Sequence, residues 1–252
     1  MAFNNNEFCW VGVISTDTDA AKAFYTEALG WSVQVAPMGD GEATMFAVGD
    51  IPRAHLAAPA QPGQPSHFEN YLRVEDVDAT TKAAVANGGQ LLVEPMDIPP
   101  GRFSVVTTPS GAPVSVYNEA DEASSSNPPA GPGAFHWVEL HSKDLDADVA
   151  WVEKTFGVSS EAMPMPQGPY HIFKDGERMV GGAMAAMNPE APAMWLTWVQ
   201  VEDVDATRER IAGLGGAALS DMMDVEGVGR MFVAQDPTGA VFGVITPPGA
   251  VA

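Results

Sequence analysis

The residues best suited to chemistry lie in one short run, His136-Trp137-Val138-Glu139-Leu140-His141. Extended backbone sends alternate side chains to opposite faces, so Trp137, Glu139 and His141 share one face while Val138 and Leu140 take the other. A carboxylate and an imidazole two residues apart can pass a proton, grip a ligand, or supply two of the three or four donors that a transition metal needs. No third donor is evident nearby. The spacing therefore favours a hydrogen-bonded polar pair lining a pocket, with Glu139 and His141 as the candidate catalytic residues. A further imidazole, His171, shares a face with Phe173, alternating with Tyr170 and Ile172 on a predicted strand, and can act as a base only if the fold carries it to Glu139. Gly181-Gly182 lacks the strand-to-helix context of a phosphate loop, and Gly213-Leu214-Gly215-Gly216 ends a helix instead of starting one. The single cysteine, Cys9, cannot form an internal disulfide and has no basic neighbour in sequence, which points to a buried structural thiol.

The elements that must position these residues show themselves through a repeat. Laid over itself with a shift of 127, the chain brings Phe8-Cys9-Trp10-Val11 onto Phe135-His136-Trp137-Val138, Asp17 onto Asp144 and Gly30 onto Gly157. Val74-Glu75-Asp76-Val77-Asp78-Ala79-Thr80 then meets an identical run beginning at Val201, and Gly88-Gly89 meets Gly215-Gly216. After one inserted residue, Thr108-Pro109-Ser110-Gly111 meets Asp236-Pro237-Thr238-Gly239. Identity at a nearly constant offset is the mark of duplication. A Ser/Pro/Gly tract separates the copies, which places a first domain at 7–118, a linker at 119–133 and a second domain at 134–248.

Within the first copy, a strand at 10–15 leads through the capping Asp17 into a helix that ends at Leu29-Gly30. Short strands follow at 32–36, 44–48 and 54–57. The pattern then restarts with a strand at 70–74, a helix at 77–86 and strands at 91–94, 103–107 and 114–117. Each half is thus β-α-β-β-β written twice. The expected fold is α+β, with four such modules and eight strands per half curling into an open cup whose outer face the helices cover.

This order, the run from Asp17 through Phe24-Tyr25 to Leu29-Gly30, and the closing Asp236-Pro237-Thr238-Gly239 resemble the vicinal oxygen chelate superfamily, which includes glyoxalases, extradiol dioxygenases and bleomycin-resistance proteins. The run at 137–140 is most similar to two-domain actinobacterial glyoxalase-like proteins. The resemblance implies tandem domains, each cupped around a small-molecule pocket, and in metal-using relatives it implies ligands converging from the first and last strands of each module. Those positions fall here on Trp10 and Trp137, on Asn70 and Thr197, and on Ser115 and Gly243, with His55 opposite Gly181-Gly182 in the remaining strand. Tryptophan and glycine cannot ligate, so no cofactor is expected and a divalent metal would need a shifted register. The expected ligand contacts are Trp10, His55, Asn70, Ser115 and Tyr117 in the first half, and Trp137, His171, Trp195 and Thr197 in the second.

Composition narrows the partners. Lys and Arg number 12 against 33 Asp and Glu, a formal charge of −21 that repels phosphate backbones and anionic lipid. Nucleic acid and membranes are therefore not expected as partners, and a small molecule is. The opening residues carry no basic, apolar leader pattern, and no run of eighteen apolar residues occurs, so the expectation is a cytoplasmic protein. Paired modules within one chain are compatible with a monomer or a weak homodimer. The function expected is small-molecule binding without the usual metal, and the alternative is a glyoxalase- or lyase-type enzyme acting on a small reactive carbonyl in the second half.

Overall fold

The computed structural model describes residues 4–99, 101–119 and 129–249. Most of the linker expected at 119–133 lies outside the described residues. The first half runs β1 (Phe8–Ile14), α1 (Thr18–Leu29), β2 (Ser32–Met38), β3 (Gly41–Val48), β4 (Ile51–Ala57), β5 (His67–Arg73), α2 (Val77–Ala86), β6 (Gln90–Ile98), β7 (Gly101–Thr107) and β8 (Pro113–Glu119). The second half repeats it as β9 (Phe135–Ser142), α3 (Leu145–Phe156), β10 (Ser159–Met165), β11 (Gly168–Asp175), β12 (Arg178–Ala185), β13 (Met194–Gln200), α4 (Val204–Gly213), β14 (Ala217–Ala218), β15 (Met223–Val225), β16 (Gly229–Gln235) and β17 (Val241–Thr246). The class is α+β, and each half is β-α-β-β-β written twice, with one strand of the last module split into β14 and β15.

The helices start where the repeat places aspartates. Asp17, Asp76, Asp144 and Asp203 each accept a hydrogen bond from the backbone N–H three residues on, at Ala20, Ala79, Ala147 and Ala206. Each aspartate thus satisfies one of the four N–H groups a helix leaves unpaired at its start. Helices α1 and α3 stop at Gly30 and Gly157, both at φ 70, a left-handed conformation that costs a glycine nothing.

The two sheets are mixed, with strand orders β2-β3-β4-β1-β5-β8-β7-β6 and β10-β11-β12-β9-β13-β17-β16-β14. The second sheet has nine strands, not the eight expected, because β15 also pairs with β16 beside β14. The counterpart of the long strand β6 is broken at 219–222, within the stretch where the repeat offset grows by one residue. There the Val233 N–H is held by the Ser220 hydroxyl at 2.9 Å instead of by a ladder carbonyl. An extra residue that cannot pair is absorbed by interrupting the strand.

The chain condenses into two compact units, and each draws on both halves. One unit contains the described residues of Met1–Trp10, Asn70–Asn127 and Val138–Leu196. Its core includes Leu72, Val116, Val138, Leu140, Trp151 and Phe173, and the Trp151 indole N–H donates to the Ala84 carbonyl at 2.9 Å, tying α3 to α2. The other contains Val11–Glu69, the described residues of Pro128–Trp137, and those of Thr197–Ala252. Its core is aromatic: Tyr25 packs against Phe24, Trp31, Phe46, Phe68 and Phe242 with ring centroids 5.0 to 5.9 Å apart.

Among the described residues no helix is long and apolar enough to cross a bilayer.

Candidate functional site

In β9, Val138 and Leu140 are buried in the same core as Val149, Trp151 and Val152 of α3. Alternation then turns Glu139 and His141 to the face away from that helix, where they are still only 6% and 8% exposed. A buried carboxylate is tolerable only when its oxygens are satisfied. His141 Nε2 lies 2.9 Å from Glu139 Oε1, and the Tyr170 hydroxyl donates to Glu139 Oε2 at 2.9 Å. With Glu139 ionised, and so only an acceptor, the imidazole proton sits on Nε2, and each oxygen keeps a lone pair for a further donor.

Tyr170 belongs to β11, and β12 runs between that strand and β9. The tyrosine can cross β12 because Gly182, which pairs in register with Glu139, has no side chain. A β-carbon there would overlap the Tyr170 hydroxyl and ring. The group Glu139, His141 and Tyr170 therefore rests on a small residue beneath it. Met184, paired with His141 and buried, extends the same face with an apolar surface.

The other expected contacts divide by face. His171 alternates with Tyr170 and so shares the face of Phe173, which is buried in the core. Its Nδ1 is buried without a hydrogen-bond partner among the described residues. The structure thus brings Tyr170, not His171, to Glu139. Trp195 is itself a core residue, 4% exposed, and its carbonyl accepts from the Asn70 side-chain amide at 3.0 Å. Asn70 falls between the core residues Phe68 and Leu72 on alternating positions of β5, which puts it on the helix-facing side of that strand. Thr197, fully buried, alternates with Trp195 and Val199 in the same way. Ser115 and Tyr117 lie opposite the core residues Val114 and Val116 of β8, on the face away from the helices. Tyr71 pairs with Ser115 in register, and its ring meets those of Tyr117 and Phe103 at 6.0 and 6.3 Å. Burial, with the Cys9 and Glu119 charges behind it, raises the Tyr117 hydroxyl well above the ordinary tyrosine value. Trp10 and Trp137, both half-buried, share the strand faces of Gly12 and Glu139 respectively.

In the unit built around Tyr25, His55 pairs in register with Gly12. Its Cε1 and Nε2 lie 2.7 and 2.8 Å from where a Gly12 β-carbon would be, and the Glu69 β-carbon is 3.4 Å from the same point. Burial lowers the His55 imidazole from its ordinary value, and the nearby Glu69 carboxylate partly offsets this. Cys9 is buried, its Sγ 3.5 Å from the Tyr71 carbonyl, and burial raises its thiol far out of the reactive range.

The donor chemistry can be set against the metal that the resemblance implies. Glu139 pairs in register with Gly182 and has His141 beside it, and His55 pairs with Gly12 and has Glu69 nearby, so each half offers one imidazole and one carboxylate. Among the described residues no group of three or more His, Cys, Asp or Glu side chains is close enough to hold a metal ion. Two donors fall short of a transition-metal site.

Sequence reasoning singled out the Glu139 and His141 pair and His55, but not Tyr170, Glu69 or the two glycines. The repeat itself held the signal for the glycines. Gly12 and Glu139 are repeat mates, as are His55 and Gly182, so each half has glycine where the other has its polar side chain.

The profile of the Glyoxalase/Bleomycin resistance protein/Dioxygenase superfamily matches residues 8–116 and 134–244. The chain belongs to this superfamily, and both copies carry the fold of its vicinal oxygen chelate members. It is 34% identical over 245 residues to "Putative glyoxylase CFP32" of Mycobacterium tuberculosis, with 94% of each chain covered. It is 28% identical over 257 residues to the anthracycline biosynthesis protein DnrV of Streptomyces peucetius, covering 94% of this chain and 91% of that one. Among solved structures, the Mn(II)-bound glyoxalase from Novosphingobium aromaticivorans aligns over 96% of this chain and 82% of its own, with a TM-score of 0.65 at 16% identity. The 2,3-dioxygenase LapB of Pseudomonas sp. KL28 aligns over 95% and 91%, also at 0.65, with 11% identity. At such identities the structural likeness speaks to the fold alone.

Proposed function

We propose that this protein binds a small molecule on the face of β9 that carries Glu139 and His141, and does so without a resident transition metal. The observation that carries this reading is the Glu139 carboxylate, buried yet held at both oxygens by Tyr170 and His141. Side chains locked this way form a preorganised acceptor. Their spare lone pairs suit a ligand O–H or N–H, while Met184 suits an apolar body. The donor count supports the metal-free half of the reading.

Thermal shift with a panel of small aromatics and carbonyls tests it. The name of the Streptomyces relative justifies including an anthracycline. A compound that raises the melting temperature of the wild type but not of Glu139→Gln is the expected result. No stabilising compound, or one that acts equally on both proteins, overturns the proposal. Metal analysis after loading with Mn(II), Zn(II) or Ni(II) and dialysis should leave well under one equivalent; stoichiometric retention abolished by Glu139→Gln would overturn the metal-free part.

The same geometry favours a second reading, an enzyme acting on a small reactive carbonyl. Glu139 would take a proton from the carbon next to the carbonyl, while Tyr170 and His141 hold the carboxylate in place. Turnover of methylglyoxal with a thiol, reduced on the order of a hundredfold in Glu139→Gln, is the expected signature. Failure to turn over any such adduct leaves the binding reading alone.

A further inference from the structure

The strap that leads into the first strand of each half is held down differently in the two compact units. The Asn6 N–H donates to the Arg73 carbonyl at the end of β5, and the Arg73 N–H donates to the Glu7 carbonyl, both at 2.9 Å. The repeat mates Gly133 and Ala134 make the same bridge to Gln200, the mate of Arg73, at 2.7 and 2.8 Å. Asn6 and Gly133 share a left-handed backbone, at φ 58 and 81.

In the unit containing Tyr25, two side chains pin the strap. The Trp31 indole N–H donates to the Gly133 carbonyl at 2.9 Å, and the Arg53 guanidinium donates to the Pro129 carbonyl at 3.1 Å. Trp31 is fully buried against Tyr25, Phe46 and Phe135. In the unit containing Trp151 both pins are valines, Val158 and Val180, and they line an apolar slot of about 20 Å³. Its wall includes Val152, Phe173, Phe8 and Asn6, the mates of Tyr25, Phe46, Phe135 and Gly133. The slot therefore corresponds to the place that an indole fills in the other unit. Trp195 also lines it, and the Trp195 indole N–H is buried without a hydrogen-bond partner among the described residues.

Polar groups latch the strap over this slot. The Asn6 side-chain amide donates to the Phe156 carbonyl at 3.1 Å and to the Asp175 carboxylate at 3.4 Å. The Arg178 guanidinium donates to the Asn5 carbonyl at 2.7 Å and to Asp175 at 2.8 Å. The mates of Asp175 and Arg178 are Val48 and Ile51, so the other unit has no such latch. There a β-carbon on Gly133 would overlap Val48 and crowd Trp31, whereas Asp175 and Val158 leave room for the Asn6 side chain. The Arg178 and Asp175 side chains are about a third exposed, at 34% and 35%, so water and salt compete for their contacts.

We infer that residues 4–7 are a flap over this slot, which lifts without unfolding the unit and admits a small planar aromatic molecule. Closed, the slot has room for about one water-sized group, so a ring enters only when the strap lifts. Lifting it breaks the bridge to Arg73 and the part-exposed Arg178 contacts. Lifting its counterpart also strips a buried indole N–H of its acceptor, which makes that opening rarer. The lining suits a ring because its mates enclose the ring of Trp31, and the Trp195 N–H supplies a donor for the π face or an acceptor atom of the guest.

Indole, the side chain of Trp31 without its backbone, is the probe. Amide exchange on the full-length protein should show Asn6 and Arg73 about tenfold less protected than Gly133 and Gln200, the effect of one hydrogen bond, with the gap widening in about 1 M NaCl. Indole should raise the melting temperature saturably and shift the amide signals of Phe8 and Val158. Val158→Trp, which rebuilds the pin, should raise protection at Asn6 and abolish the response to indole, and Glu139→Gln should leave that response unchanged. Arg178→Ala keeps the inference open to test should Val158→Trp fail to fold: it should lower protection at Asn6 about tenfold and leave Gly133 as it was. Equal protection of the two straps, or no saturable response to indole, overturns the inference. A response lost in Glu139→Gln, or one that leaves Phe8 and Val158 unshifted, places indole elsewhere and overturns it too.

Discussion

Gly182 lies beneath the Tyr170 hydroxyl, and a side chain of any size on the glycine would occupy the space through which that hydroxyl reaches Glu139. Gly182→Ala should therefore act through Tyr170. Overpacking of this kind costs about 1–3 kcal/mol. Removing the hydroxyl directly, in Tyr170→Phe, takes one hydrogen bond from a buried carboxylate and should cost about 1.5–3 kcal/mol. Because both changes break the same contact, the double variant should be much less destabilised than the sum. Urea denaturation of the four proteins measures the coupling, and strict additivity would mean that the glycine does not serve the tyrosine.

The two units solve one packing problem with carboxylates from different places. In the unit containing Tyr25, Asp236 opens the Asp236-Pro237-Thr238-Gly239 turn and accepts from the Tyr25 hydroxyl, the Thr238 N–H and the Ala240 N–H. The corresponding turn in the other unit begins with Thr108, and the carboxylate comes instead from Asp148 on α3, fully buried. It accepts from the Ser110 N–H at 3.0 Å, from the Ser142 hydroxyl at 2.6 Å and from the Ser110 hydroxyl. Asp148→Ala strands several buried donors at once and should cost about 3 kcal/mol or more. Asp236→Ala should cost a similar amount, whereas removing the exposed Asp221 should be nearly neutral. A near-neutral Asp148→Ala would mean that water replaces the carboxylate.

Much of the fold was legible because its signals are local and repeated. Four aspartates cap four helices, and glycines stop two of them. The face of Glu139 and His141 was legible too, since Val138 and Leu140 mark the core side of β9. Strand β13 offers no such contrast: Trp195, Leu196, Thr197, Trp198, Val199 and Gln200 are all buried, so hydrophobicity does not alternate and the face of Thr197 cannot be read from it. Asn70 misleads similarly, a polar residue on the core side of β5 whose amide is satisfied by a distant carbonyl. Tyr170 was hidden for another reason. Its role depends on a glycine on the intervening strand, and that adjacency exists only once the strands are ordered. The sharing of modules between compact units was equally hidden, because all four modules carry the same helix pattern.

Tyr25 sets the alkaline limit of its unit. Its hydroxyl is buried and donates to Asp236 at 3.0 Å; burial first, then the Asp236 charge and hydrogen bond, raise it well above the ordinary tyrosine value of 10.0. An acid whose pKa is raised by folding keeps its proton in the native state while the unfolded chain loses it, so stability falls as pH climbs past 10.0. Tyr25→Phe should be less stable than the wild type at neutral pH through the lost hydrogen bond, yet lose less stability between neutral and alkaline pH. Parallel urea curves at both pH values decide this; equal losses would mean that the hydroxyl ionises as freely in the folded chain as in the unfolded one.

His55 predicts the opposite slope on the acid side. Burial lowers its imidazole below the ordinary 6.5, with the Glu69 carboxylate working against the shift. Below 6.5 the unfolded chain takes up a proton that native His55 resists, so stability is intact above that pH and is lost as pH falls through it. His55→Phe should therefore flatten the stability profile on the acid side of neutrality without abolishing the decline. Glu69→Gln should steepen it, since removing the carboxylate withdraws the one named influence that favours the protonated ring. The two variants move the slope in opposite directions, which a general loosening of the unit cannot do, and a common direction would show that Glu69 does not act on His55.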